Sequence, residues 1–269
     1  MNARLHATLD APMGPPLDIK LMNVMSSLMV TGVVVFLLVA LLWWLVRLPL
    51  FALAGITVRG DVEHHNAVTV RANVAPKLQG NFFTVDLNQA RLVFEGLPWV
   101  RHALVQREFP NRLRVVLQAH NPVGYWGAEG EGRLINSQGE VFEANLGDLE
   151  DDELPRLSGP DNQSTEVLSM YQALQQPATA LGGSLMGLDL TPRGSWRMTM
   201  SSGARIELGR GSKTEVLERL DTLVKTLPQV ASRLGRKVSA LEVADLRYDT
   251  GYALRMRGVT TVDPQQVKK

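Results

Sequence analysis

The stretch Asp86–His120, DLNQARLVFEGLPWVRHALVQREFPNRLRVVLQAH, changes its period part-way along. Asp86 and Gln89 stand at the spacing of a capping box, in which each side chain can satisfy a free backbone N–H of a first helical turn. Gly96, free to adopt φ > 0, is the expected stop. Beyond it come two strand-like runs, VRHALVQRE and RLRVVLQAH, joined by the turn signal FPN. In the second run Leu113, Val115 and Leu117 are set off by Arg112, Arg114 and Gln118, a period of two. Working upstream, GITVRG (Gly55–Gly60) reads as a strand ended by Gly60 and Asp61, and NAVTVRANVAPKL (Asn66–Leu78) as a short helix disturbed at Pro76. The order is β-α-α-β-β, which predicts a small α+β domain with two helices on one face of a three-stranded sheet.

Further upstream, no charged residue lies between Lys20 and Arg47, and Leu28–Val46 (LMVTGVVVFLLVALLWWLV) is almost wholly apolar. A helix of about 20 apolar residues crosses the ~30 Å hydrocarbon core. Trp43 and Trp44 sit at one end, where amphipathic rings prefer the headgroup boundary. The small-x-small triplet Ala52–Ala54 resembles a cleavage site. A signal h-region, however, runs about 7–15 residues, and this one is longer and followed by Arg47 and Pro49. An uncleaved anchor over 21–49 is expected. Arg4 and Lys20 favour a cytoplasmic N-terminus and Arg47 partly cancels that bias, so the shortness of the 1–20 tail, rich in proline, decides for cytoplasmic.

Downstream of Asn121 glycine punctuates short strands: PVGYW, GRLINSQGEVFE, LMGLDLTP and SWRMTMSSGARIELG, with NSQGE and SSGA as hairpin turns. Two helices are expected between them. STEVLSMYQALQQ places Val167, Leu168, Tyr171 and Leu174 on one side and stops at Pro177. SKTEVLERLDTLVKTL opens on Ser212 and Glu215 at capping-box spacing, carries Val216, Leu217, Leu220, Leu223, Val224 and Leu227 on one stripe, and ends at Pro228. This second domain should be an antiparallel-dominated sheet with two helices on one face. The expected organisation is therefore tail 1–20, membrane helix 21–49, first domain 50–121, β-rich domain 122–258 and a flexible tail 259–269.

Composition excludes several function classes. There is no cysteine, so disulfides, Cys-ligated zinc and thiol catalysis are absent, and a net charge of +1 without clustered Lys and Arg argues against nucleic acid. LGRGSKT (Leu208–Thr214) fails as a phosphate loop, because Ser212 separates Gly211 from Lys213. His64 and His65 are adjacent rather than four apart, and the acidic run Leu146–Pro155 lacks the ligand spacing of a calcium loop. No catalytic residue, metal ligand or cofactor site is expected, nor a small-molecule substrate.

The last patterned stretch is ADLRYDTGYALRM, Ala244–Met256. Every second residue from Ala244 (Leu246, Tyr248, Thr250, Tyr252, Leu254, Met256) falls on one face, which predicts a single final strand. A terminal strand pairs on one side only and offers free N–H and C=O groups on the other. Periodicity by itself puts Tyr248 in the core beside Leu246 and Leu254.

A series of motifs carries a resemblance over almost the whole chain. Phe82, Phe83, Asp86, Leu97, Pro98, Trp99, Val100, Val105, Arg107 and Pro110 stand in register within Gly80–Leu117; NPVGYW, INSQGEVF, LPRLSGP, IELGRG and DLRYDTG follow in order. The chain resembles the FtsQ/DivIB family of bacterial cell-division proteins, whose membrane-proximal module is a POTRA domain and whose distal one is a β domain. The family often has a glutamate before the junction proline, where this chain has Gln118, His120 and Asn121. Its better-known members carry a tryptophan where Met256 stands here.

The resemblance implies a non-enzymatic bitopic scaffold in the bacterial inner membrane. Its C-terminal domains would be periplasmic and located at the septum, binding FtsB and FtsL and helping to recruit and regulate septal peptidoglycan synthesis. It moves Tyr248 from core to partner surface. The implied contact set is Arg247, Tyr248, Thr250, Gly251, Tyr252 and Met256, with Arg193 on the same rim: the tyrosines for aromatic contact, Arg247 for an acidic group, Gly251 for close backbone approach. Two rivals are weighed against it. A membrane-anchored periplasmic cell-wall enzyme needs a cleft of catalytic side chains that no motif here supplies. A translocation protein of the outer-membrane type continues into a many-stranded barrel, for which the chain is too short.

Overall fold

The computed structural model of the chain describes residues 17–60, 74–78, 80–149, 154–248 and 250–259. The segment expected to form the first POTRA-like helix lies mostly outside these residues, as do His64, His65 and most of both tails. The first described element is α1, Leu17–Val46, a helix of 30 residues exposed from Asp18 to Leu45. At 1.5 Å per residue it is about 45 Å long, more than the hydrocarbon core requires.

The first domain is a three-stranded sheet in the order β1-β3-β2: β1 is Gly55–Gly60, β2 Val100–Glu108 and β3 Arg112–Ala119. β1 runs parallel to β3 and β2 antiparallel to it. Helix α2 (Leu87–Glu95) is capped by Asp86, whose Oδ1 accepts from the N–H groups of Asn88 and Gln89 at 2.8 and 3.1 Å. It buries Ala90 and Phe94 against Leu113, Val115 and Leu117 of the central strand. Gly96 does end the helix, but with φ −81° rather than in the left-handed region. The left-handed residue is Trp99, at φ +67°. A bulky residue takes that conformation only where its surroundings hold it, and Trp99 is buried, its carbonyl accepting from His120 N at 2.7 Å.

The second domain is a nine-stranded sheet in the order β12-β11-β10-β9-β8-β7-β4-β5-β6. In chain order its strands are β4 Pro122–Trp126, β5 Arg133–Asn136, β6 Val141–Glu143, β7 Arg156–Ser158, β8 Leu185–Leu190, β9 Trp196–Met200, β10 Arg205–Gly209, β11 Leu241–Asp245 and β12 Ala253–Met256. Five of its eight pairings are antiparallel; β4–β7, β7–β8 and β10–β11 are parallel. Helices α3 (Ser164–Thr179) and α4 (Lys213–Arg233) pack together over the sheet.

Three expectations need correction. Both helices run through the prolines expected to end them. A proline costs one backbone bond, but Ala178 beyond Pro177 and Ala231 beyond Pro228 are fully buried, and that packing keeps the helices going. The closing stretch is also two elements: β11 ends at Asp245, the chain turns, and β12 returns antiparallel with Ala253 opposite Asp245 and Met256 opposite Leu241. Alternation continued across the turn by coincidence of composition. Finally β7, three residues long, was not anticipated as a strand, although it lies between β4 and β8 in the middle of the sheet.

The two domains meet in a network of side chains. Arg101 of β2 forks onto the Glu140 carboxylate at 2.6 and 3.1 Å. In the β5–β6 turn, Asn136 is wholly buried and its Oδ1 accepts from the N–H groups of Gln138 and Glu140. Its Nδ2 therefore has both hydrogens to give: one to Glu140 Oε2 at 2.6 Å, the other to His120 Nδ1 at 2.9 Å. The His120 ring stacks on Phe142 at 4.1 Å, and Phe142 meets the edge of Trp99 at 5.6 Å. The Arg101 bond holds Glu140 well below the usual carboxylate range, at about 2, and burial pushes His120 down.

Candidate functional site

The site begins with the order of the sheet. β12 is its terminal strand and pairs with β11; among the described residues nothing pairs with its other edge. Alternate residues of such an edge present their N–H and C=O groups to solvent, the template on which a further strand adds.

In the same sheet, around β9, β10 and the residues that follow β11, lies a cleft of about 740 Å³ lined by Arg193, Arg197, Arg210, Arg219 and Arg247 together with Glu207. Its walls come from distant parts of the chain: the β8–β9 turn, β9, β10, the turn before α4, α4 itself and the residues after β11. Ser212 caps α4 by accepting from Glu215 N, while Glu215 Oε2 accepts from Ser212 N at 2.7 Å. That box fixes the start of the helix and so the position of Arg219, whose guanidinium donates to the carbonyls of Leu208 and Arg210. Gly209, at φ +81°, lies under Arg219 and Arg247, and a Cβ there would come within 3.1 Å of both. Arg197 and Glu207 face each other across β9 and β10 at 2.6 Å.

Arg247 makes a fork with Asp245, Nε to Oδ1 at 2.8 Å and Nη2 to Oδ2 at 2.6 Å. This bond raises the Arg247 pKa and lowers that of Asp245. The guanidinium has five N–H donors, and Asp245 uses only one side of the fork, so Arg247 keeps donors and more than half of its surface for another group. Arg193 and Arg210 make no ion pair among the described residues. Five arginines against Glu207 and Asp245 leave the cleft positive, fit for an acidic segment rather than for a neutral one.

The sequence-predicted residues divide into two groups. Arg193 and Arg247 share the cleft, and Tyr248 (60% exposed), Thr250 and Gly251 are exposed in the turn that joins β11 to β12. Tyr252 is half-buried, packed on the core with its hydroxyl 2.7 Å from Thr226 Oγ1 of α4. Met256 is buried, opposite Leu241. Arg197, Arg210 and Arg219 were not singled out in the sequence; GRG within IELGRG was the nearest signal. Among the described residues no three His, Asp or Glu gather as metal ligands.

A family model described as POTRA domain, FtsQ-type, matches residues 51–120, and one described as cell division protein FtsQ/DivIB, C-terminal, matches residues 124–247. The chain belongs to the FtsQ/DivIB family. It is 40% identical over 243 residues to cell division protein FtsQ of Burkholderia pseudomallei K96243, covering 90% of this chain and 94% of that one. Identity to the FtsQ protein of Thiomonas arsenitoxydans is 38% over 251 residues, 93% and 91% of the two chains. To that of Bordetella pertussis Tohama I it is 37% over 257 residues, 89% and 92%. The chain is thus a membrane-anchored cell-division protein of the FtsQ type: an apolar helix long enough to span a bilayer, a POTRA domain and a β domain. The matched C-terminal segment stops at Arg247, so Tyr248 and β12 extend beyond the part the family model describes.

Proposed function

We propose that this FtsQ-type protein is a non-catalytic scaffold of the bacterial division machinery, held in the inner membrane by α1 with both domains periplasmic. Its partners are the single-span proteins FtsB and FtsL, and through them it recruits and regulates septal peptidoglycan synthesis. The observation that carries the reading is the free edge of β12, joined through the turn that begins at Arg247 to an arginine-lined cleft of the same sheet. A partner segment adds to β12 as a further strand; its main chain supplies hydrogen bonds and its acidic side chains meet Arg247 and Arg193. Tyr248, next to Arg247 in the chain, offers an exposed aromatic ring, and Gly251, with open space around its α-carbon, leaves room for the incoming backbone. Tyr252 and Met256 support this surface from beneath by packing α4 and β11 against it.

The electrostatic half of the reading is tested by the double variant Arg193→Glu, Arg247→Glu, assayed for binding to the C-terminal segment of an FtsB-type partner across a salt series. Wild-type affinity should fall as salt rises, and the variant should bind weakly with a flattened salt dependence. Equal binding and equal salt dependence would sink the cleft's role.

A further inference from the structure

We propose that the membrane-proximal end of the POTRA domain is seated in the headgroup region of the bilayer that α1 crosses, through Leu50, Phe83 and Phe109. The backbone leaves α1 at Val46, whose carbonyl accepts from Asn81 Nδ2 at 2.6 Å. A helix end has free carbonyls, and here one is satisfied by a side chain of the folded domain, so the domain is attached to the helix rather than hung from it. Phe82 N donates to the Phe51 carbonyl at 2.9 Å, Ala52 bridges to Asn81, and Ala54 N donates to Asn111 O at 2.9 Å. These bonds draw two loops, 80–85 and 109–111, to the place where the chain emerges from the span.

The loops present aromatic rings there. Phe83 packs edge-on against Phe51 at 4.9 Å and Phe82 at 5.2 Å, and Phe82 meets Phe109 at 6.2 Å. Phe82 is buried, but Leu50, Phe83 and Phe109 are 68%, 46% and 77% exposed. Nor is the display loose: Arg107 donates to the carbonyls of Phe82 at 2.7 Å and Val85 at 2.9 Å, clamping the loop that carries Phe83. Rigid, exposed rings beside a span need a cover.

The occupant follows from distance and chemistry. Leu50 is three residues beyond Arg47, so at most about 10 Å of chain separates it from the end of the span. Arg47 lies 3.8 Å over the ring of Trp43, a cation and an aromatic side chain together at the depth where interfacial anchors sit. The continuation of that belt onto Leu50, Phe83 and Phe109 fits the acyl–headgroup boundary of the same leaflet. The consequence is a POTRA domain of fixed tilt, which sets the height at which β12 is presented.

The inference rests on α1 spanning the bilayer, and the test separates the two. The chain has no cysteine, so nitroxides on Phe83→Cys and on Phe109→Cys each report one position. Leu37→Cys within α1 and Ser202→Cys in the exposed β9–β10 turn serve as references. The full chain is reconstituted in vesicles of phosphatidylethanolamine and phosphatidylglycerol, and collision with oxygen is compared with collision with a water-soluble nickel chelate. Oxygen should dominate at 83 and 109, at a depth between those of 37 and 202. A pattern at 83 and 109 matching that at 202, with 37 still lipid-like, overturns the seat alone. Nickel access at 37 overturns the seat and the membrane anchor together. Shielding at 83 and 109 that disappears on diluting the protein in lipid assigns the patch to a second copy of the chain and also overturns the seat.

Discussion

Replacing Tyr248 by alanine separates binding from folding. The side chain is 60% exposed, in the turn between β11 and β12. A large aromatic side chain buries about 150–250 Å² when fully covered, so about 90–150 Å² is open to a partner at this exposure. Covering all of it at about 25 cal/mol per Å² would be worth about 2–4 kcal/mol. A strand laid along β12 covers the ring from one side, so about half of that, 1–2 kcal/mol, is the expected loss, or about 5- to 30-fold in Kd. Stability should change by less than about 0.5 kcal/mol, as for other exposed substitutions. Calorimetric titration of the full chain in nanodiscs with the C-terminal segment of an FtsB-type partner, beside a thermal melt of both chains, gives both numbers. Unchanged affinity would refute the assignment of Tyr248 to the partner. A weakened affinity matched by a lowered melting temperature would refute it too, since the ring would then be a structural one.

Met256→Ala should behave in the opposite way: the residue is buried opposite Leu241, so truncation should cost about 2–5 kcal/mol of stability, read as a lowered denaturant midpoint. The domain junction should make the chain acid-sensitive. Glu140 is held at about 2 against 4.5 for the free group, so its contribution is present above about pH 4.5 and lost as pH falls toward 2; His120 is depressed below 6.5, so its neutral form stabilises the fold and that contribution starts to be lost below pH 6.5. Melting temperature should therefore fall in both windows, and Glu140→Gln should flatten the lower one; an unaltered pH profile in that variant would contradict the network.

How much of this was legible in the sequence depends on how far apart the deciding residues lie. The alternation of Leu113, Val115 and Leu117 marked the central POTRA strand, and Ser212 with Glu215 marked the start of α4, because each signal is local and was met by local bonds. The closing stretch misled for the same reason. Period two ran on from Ala244 through the turn to Met256, and nothing in the spacing says that Tyr248 leaves the core while Leu246 stays. β7 is too short for a period, and the burial of Ala178 and Ala231 beyond the prolines is a property of the packed sheet. The cleft is the clearest case. Arg193, Arg197, Arg210, Arg219 and Arg247 are spread over more than fifty positions and meet only because β10, α4 and β11 form a parallel crossover beside β9. Resemblance pointed to two of the five, and the fold supplied the rest.

The central claim is that a partner strand adds to the outer edge of β12. Amide hydrogen exchange of the full chain, alone and saturated with the C-terminal segment of an FtsB-type partner, tests it at the backbone itself. The account predicts that amides within Ala253–Met256 that exchange quickly in the free chain slow markedly in the complex, with smaller changes around Arg193 and Arg247. Saturating binding that leaves exchange across 253–256 unaltered would contradict it.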